Sequence, residues 1–263
     1  IPEWCVVADY CEDDLADIQR FISETNASLF AVRSSAKGED GIEHSFAGQY
    51  ATFLNVTADK VIEKIQRVQS SATSEHLQIY QSSKSIKQTE RPSVIVQRML
   101  APTVSGVAFS ADPVSGNLDS VVISATWGLG SALVSGEVDA DAWTLDKDDS
   151  VLTKTIADKA QHHIPCQSSD EGVRLSQTDD ASRLTPCLTT EQLTQIANLV
   201  RECARFFDCP QDIEWAIEND QLYLLQSRPI TTLPYYPDQT LPVTVWDNSN
   251  IAESYSGLTS TLT

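Results

Sequence analysis

Basic residues are scarce, with 18 Lys and Arg against 37 Asp and Glu, for a formal net charge of −19. A nucleic-acid surface needs a basic stripe to neutralise phosphates, so that role is excluded, whereas a local basic pocket for a small anion is not. No apolar run approaches the 18 residues of a membrane-spanning helix, and no charged-then-apolar leader opens the chain. The six cysteines, Cys5, Cys11, Cys166, Cys187, Cys203 and Cys209, include no C-x-x-C pair and read as free thiols. The single methionine is Met99 and the first residue is Ile1, so we expect a portion of a longer polypeptide. No repeat is evident, and the expected location is cytoplasmic.

What is present suits a sizeable core. At 263 residues and 41% hydrophobic content, the chain can form one large domain or two lobes with a cleft between them. Leu15, Ile18, Phe21 and Ile22 mark a short helix, and Val61, Ile62, Ile65 and Val68 mark a second, with Thr57 as a plausible N-cap. Strands are predicted at 29–32, 93–100, 105–110, 120–126 and 141–146. Thr189 with Gln192 has the capping-box spacing. It precedes a helical stripe of Leu193, Ile196, Ala197, Val200, Ala204 and Phe207 that stops near Pro210. Residues 161–190, rich in Ser, Gln, Asp and Thr, read as a surface excursion, with His162 and His163 in a loop that lacks the further ligands of a zinc site. Pro234, Pro237 and Pro242 mark residues 234–245 as an extended linker.

The chemistry concentrates in DIEWAIENDQLYLLQSRP, residues 212–229. Apolar and polar residues alternate through Ile213, Trp215 and Ile217, and again through Tyr223, Leu225 and Ser227, with Asn219 and Asp220 between them, so the segment reads as a β-hairpin. A two-residue loop would set Glu214 against Leu225 and turn Arg228 toward the core. The reading adopted is a three-residue loop, Asn219–Gln221. It pairs Glu214 with Gln226 and Asp212 with Arg228, leaves Glu218 in solvent, and puts Ile213, Trp215, Ile217, Tyr223 and Leu225 on the other face. A carboxylate beside an amide oxygen suits Mg²⁺, and a guanidinium two residues on suits a phosphate. An amphipathic hairpin with a wet polar face is the plain alternative.

AVRSSAKGEDGIEHSFAGQYATFLNV (31–56), VIVQRMLAPTVSGVAFSADPVSG, ATWGLGSALVSGEVDADAW and the hairpin occur in the order found in the ATP-binding domain of the phosphoenolpyruvate synthase and pyruvate phosphate dikinase family, to which rifamycin phosphotransferases also belong. The chain resembles that domain over most of residues 29–233. The resemblance implies an α/β, ATP-grasp-like two-lobed nucleotide-binding domain, N-terminally incomplete, over 1–233, with 234–263 leading toward a further domain. It also implies ATP-contacting roles for Arg33, Gly48, Thr52, Phe53, Gln97, Glu214, Gln226 and Arg228, with Glu214 and Gln226 as Mg²⁺ ligands. Glycine at 48 would let backbone amides crowd an anion, and the Gln97 amide can both donate and accept near an adenine. Without that resemblance, Gln97 reads as a strand-end glutamine. Gly128 and Gly130 read equally as a packing turn or a nucleotide-facing loop. Lys37 and Arg98 are as consistent with solvated surface charges as with the pocket.

Two departures matter. Ser124 and Ser131 stand where the family pattern carries acidic residues, and a serine cannot supply a carboxylate's charge. None of His44, His76, His162 or His163 has the glycine-rich context of the family's phosphorylated histidine. The implied partners are therefore phosphohistidine and pyruvate-binding domains of the same longer polypeptide, and no catalytic residue is assigned within this fragment, which is expected to be inactive alone. The implied function is the ATP-binding part of a dikinase that moves phosphoryl from ATP to histidine and on to pyruvate. A rifamycin-type phosphotransferase domain and a non-catalytic nucleotide module are the alternatives.

Overall fold

Period-two alternation in the N-terminal third produces four short antiparallel strands, β1 (Trp4–Val7), β2 (Leu29–Ser35), β3 (Thr52–Thr57) and β4 (Ser93–Arg98), in the order β1-β4-β2-β3. The computed structural model describes residues 1–8, 14–35, 51–71, 92–231 and 233. Helices α1 (Asp14–Thr25) and α2 (Val61–Ser71) back this sheet, and Ile18, Val61, Ile65 and Val68 pack against Phe30, Val32, Val94 and Val96. Thr57 holds the predicted N-cap position, but its side chain makes no capping bond. It leads into a 3₁₀ turn, Ala58–Lys60, ahead of α2.

The chain then crosses through Met99–Thr103 to a six-stranded antiparallel sheet. Its strands are β5 (Val104–Phe109), β6 (Val121–Trp127), β7 (Asp141–Leu145), β8 (Val151–Thr155), β11 (Gln211–Glu218) and β12 (Gln221–Pro229), in the order β12-β11-β5-β6-β7-β8. A one-turn helix, α3 (Ser131–Val134), follows β6, and another, α4 (Asp180–Arg183), precedes the long α5 (Thr190–Phe207). The predicted capping box at Thr189 and Gln192 is present at the start of α5. This helix buries Leu193, Ile196, Ala197, Val200 and Cys203 at helical spacing. Phe207, the last residue of the helix, is 52% exposed and not part of the buried stripe, and Asp208 ends the helix in the left-handed region at φ 53°. The stripe packs on Trp143, Ile213, Trp215 and Ile217, each side chain contributing roughly 1.5–3 kcal/mol through burial.

Residues 161–190 do more than run over the surface. They form a hairpin of β9 (Gln161–Pro165) and β10 (Val173–Gln177), so His162 and His163 lie on a strand and not in the predicted loop. The tip of the hairpin reaches the first sheet, where Leu54 N donates to Glu171 O at 3.2 Å and Asn55 Nδ2 donates to Gly172 O at 2.7 Å. Gly172 has φ 80°, and a Cβ there would lie 1.8 Å from the Leu54 carbonyl oxygen, so the approach requires glycine. Polar composition concealed this clasp because its bonds run from backbone to backbone and to one asparagine. Both sheets belong to one compact unit, Ile1–Leu233. Among the described residues no helix is long and apolar enough to cross a membrane.

Candidate functional site

Strand register places the central pair. Glu214 lies opposite Gln226 and Asp212 opposite Arg228. The turn that produces this differs from the three-residue loop expected from sequence. Gln221 pairs with Glu218, and the turn is the two residues Asn219 and Asp220, at φ 51° and 62°. That is the left-handed pair a tight type I′ hairpin favours. A β-bulge between Trp215↔Leu224 and Glu214↔Gln226 leaves Leu225 as the extra residue and restores the expected pairing from Glu214 onward.

Because of that bulge, the inward residues of β12 are not the predicted ones. Leu222 and Leu224 pair with Ile217 and Trp215 and join the core. Tyr223 pairs with Ala216, and the Arg98 guanidinium lies 5.6 Å from its ring centre. Leu225 lines the cavity between the sheets. Two wrong expectations, about loop length and inward face, thus coexist with the expected pairing at Glu214.

The cavity holds about 470 Å³, a volume suited to a small organic ligand. Arg33, Thr52 and Gln97 line it from the four-stranded sheet, and Glu214, Gln226 and Arg228 from the six-stranded sheet. Arg33 and Thr52 pair across β2 and β3, and Gln97 pairs with Ala31 on β2. An Arg33 Nη2 bond to Gln226 Oε1 joins the two walls. Arg228 is aimed by Asp212, whose Oδ2 accepts from Nε at 2.8 Å and lies 2.7 Å from Nη2. Among the described residues no salt bridge engages Glu214, so its carboxylate differs in this respect from the nearby Asp212.

Not every predicted residue comes to this wall. Gly48 lies outside the described residues, as do Lys37, His44 and His76. Phe53 is turned to the opposite face of β3. It is buried in the core with Lys64 Nζ 4.6 Å and the Arg67 guanidinium 4.7 Å from its ring centre, so it does not line the cavity where it was expected. Strand alternation explains this, since Thr52 and Leu54 take the cavity side. Ser124 shares a cross-strand row with Val107 and Glu214 but stands two strands away from Glu214. Gly130 lines the cavity, whereas Gly128, at φ 69°, is pressed against the His163 carbonyl.

Other contributors had no local signal. Glu218, expected in solvent, is a tie between lobes. Its Oε2 accepts from Arg98 Nη1 at 3.0 Å and its Oε1 from Ala101 N at 2.6 Å. Burial works against the Arg98 charge, but hydrogen bonds from Arg98 to Glu3 and Glu218 prevail and raise its pKa further. The same Arg98 contact holds the Glu3 carboxyl below its ordinary range. Behind the six-stranded sheet, fully buried Lys159 and Asp141 pair at 2.6 Å, and Asp141 Oδ2 also accepts from Cys187 N. These contacts join residues far apart in sequence, which periodicity cannot report.

Two facing sheets, with arginines from both walls around a carboxylate and an amide, form a cavity suited to a phosphate-bearing small ligand in an α/β domain. Residues 7–244 match the family described as pyruvate phosphate dikinase, AMP/ATP-binding domain, and the chain belongs to that family. It is 42% identical over 226 residues to the prodigiosin synthesizing transferase PigC of Serratia marcescens, covering 84% of this chain and 24% of that protein. Identity is 37% to a rifampicin phosphotransferase of Bacillus subtilis, over 88% of this chain and 27% of the relative. It is 38% to phosphoenolpyruvate synthase of Pyrococcus furiosus, over 77% and 26% respectively. The chain thus spans about a quarter of the length of these relatives.

Proposed function

We propose that this chain is the ATP-binding part of a phosphoenolpyruvate synthase-like dikinase, which passes phosphoryl from ATP to a histidine on a separate domain and then to pyruvate. The observation that carries the reading is the convergence of Arg33, Glu214, Gln226 and Arg228 on one cavity. Glu214 and Gln226, as direct cross-strand partners, fit a Mg²⁺ site because that ion needs few protein oxygens and keeps water and phosphate as its remaining ligands. The Gln226 oxygen has a second lone pair beyond the one Arg33 uses. When bound, Mg²⁺ would offset negative charge on the phosphate oxygens.

The protein's own groups would bind and orient. Arg228, braced by Asp212, would present a guanidinium edge to a phosphate, and Arg33 would approach the same group from the opposite wall. Thr52, at the start of β3, would face a phosphate, as would Gly48 by the family resemblance, and Gln97 would face the base end. The unpaired thiols Cys5, Cys166, Cys187, Cys203 and Cys209 suit a reducing cytoplasm, where ATP is available.

Calorimetric titration with Mg·ATP tests the site. Glu214→Ala and Gln226→Ala should each weaken binding by on the order of tenfold or more, while exposed Glu202→Ala on α5 should leave it unchanged. Equal affinity in all three variants would overturn the metal pair. Glu218→Ala is unsuitable as a neutral control because that side chain braces the interlobe linker.

A second reading, a domain serving a rifamycin-type acceptor, has support from the comparable identity to rifampicin phosphotransferase. Supplying the full-length polypeptide with pyruvate or a rifamycin and weighing the products separates the two. A polypeptide that binds Mg·ATP yet never forms phosphohistidine would instead favour the non-catalytic module.

A further inference from the structure

Ser131 lines the cavity at the start of α3, and a buried histidine grips its hydroxyl from behind. Ser131 Oγ lies 2.8 Å from His163 Nδ1, and His163 is 5% exposed. On the far side of the ring, His163 Nε2 is 3.6 Å from Glu137 Oε2, while Glu137 Oε1 accepts from Ser135 Oγ at 2.6 Å. A neutral imidazole carries one proton, and the facing carboxylate favours it on Nε2, which leaves Nδ1 as an acceptor. Ser131 must then donate to Nδ1. Its oxygen lone pairs remain for the cavity, so this serine meets a ligand as an acceptor.

Position along the sheet says which part of a ligand this is. A Cβ on Gly130 would lie 3.3 Å from Ser105 Oγ, and Ser105 pairs with Ala216. Ala216 is two residues from Glu214 toward the linker Met99–Thr103, about 7 Å along the strand. The arginines and Glu214 occupy the anionic end, so Ser131 stands between that end and the linker, beside the middle of an elongated nucleotide.

We propose that His163 is a positioning residue that acts through Ser131, fixing its hydroxyl as a hydrogen-bond acceptor for a ribose hydroxyl. This rests on the nucleotide reading above. Neither residue need touch the reacting phosphate.

The test compares ATP, 2′-deoxy-ATP and 3′-deoxy-ATP, each with Mg²⁺, by calorimetry on the intact chain. The wild type should bind one of the two deoxynucleotides about five- to tenfold more weakly than ATP. Ser131→Ala and His163→Leu should both erase that discrimination while retaining the wild-type affinity for the discriminated deoxynucleotide, an outcome a misfolded variant cannot give. His163→Asn, whose amide reaches the Nδ1 position, should recover discrimination relative to His163→Leu. If the wild type binds all three nucleotides equally, or if discrimination survives His163→Leu or Ser131→Ala, the assignment is wrong. Failure to bind any of the three would overturn the nucleotide reading itself, and this proposal with it.

Discussion

The six-stranded sheet rests on the eighteen-residue α5, whose apolar stripe packs beneath β11, β5 and β6, whereas the four-stranded sheet rests on the shorter α1 and α2. The first carries the carboxylate and amide on adjacent strands of one hairpin, so their spacing is set within a single sheet by the buried Ile213, Trp215 and Ile217. The second carries Arg33, Thr52 and Gln97, whose distance from Glu214 depends on how two sheets are held face to face. Local register therefore secures the metal-suited pair. A few long-range ties secure the rest: Arg98 to Glu218, Leu54 to Glu171, Asn55 to Gly172 and Arg33 to Gln226.

The contrast can be broken most severely inside the larger sheet. Asp141→Ala would strand the Lys159 ammonium without its partner in a fully buried site. Urea denaturation should show a loss of about 3–5 kcal/mol. The exposed pair Arg183 and Asp158 gives the comparison, and Arg183→Ala should move the midpoint little.

Gly172→Ala attacks the clasp between lobes. Its φ of 80° and the carbonyl 1.8 Å from a new Cβ mean that the hairpin tip must withdraw from β3, at a cost of about 1–3 kcal/mol. Hydrogen exchange at the Leu54 amide should accelerate, and unchanged protection there would refute the clasp. Glu218→Ala should cost somewhat less, about 1–2 kcal/mol, by freeing the Ala101 amide and one Arg98 bond. Faster exchange at Ala101 is the expected signature.

The smallest effect concerns pH. Burial lowers the pKa of His162 from 6.5, outweighing the opposing influence of Asp179, and nearby His163 lowers it further. The folded state thus prefers the neutral ring. Its contribution to stability is present above pH 6.5 and is lost as pH falls through the depressed folded value. Melting curves from pH 7.5 to 5 should show His162→Gln losing less stability on acidification than the wild type. Parallel losses would remove His162 from the account.

How much was legible differs between these regions for the same reason. Alternation at Ile213, Trp215 and Ile217 exposed the hairpin, and the Thr189 and Gln192 spacing exposed the helix start, because both signals are local. Alternation did not reveal the bulge at Leu225, since an added residue exchanges the faces of Leu224 and Leu225 without altering composition. That Phe53 lies off the cavity wall was not legible, because a motif gives neighbours in sequence and a strand sends neighbours to opposite faces. His163 and Glu218 gave no signal, as their partners lie 32 and 120 residues away.

By itself the sequence determined the longer helices, the central hairpin and several strands, the family resemblance and the chemical types gathered at the cavity, because propensity, periodicity and motif order act over short stretches of chain. The tertiary structure decided that Arg33 reaches Gln226, that Glu218 is a brace and that a histidine holds Ser131. Those outcomes follow from a one-residue bulge and from contacts between distant segments, whose energies exist only once the two sheets face each other.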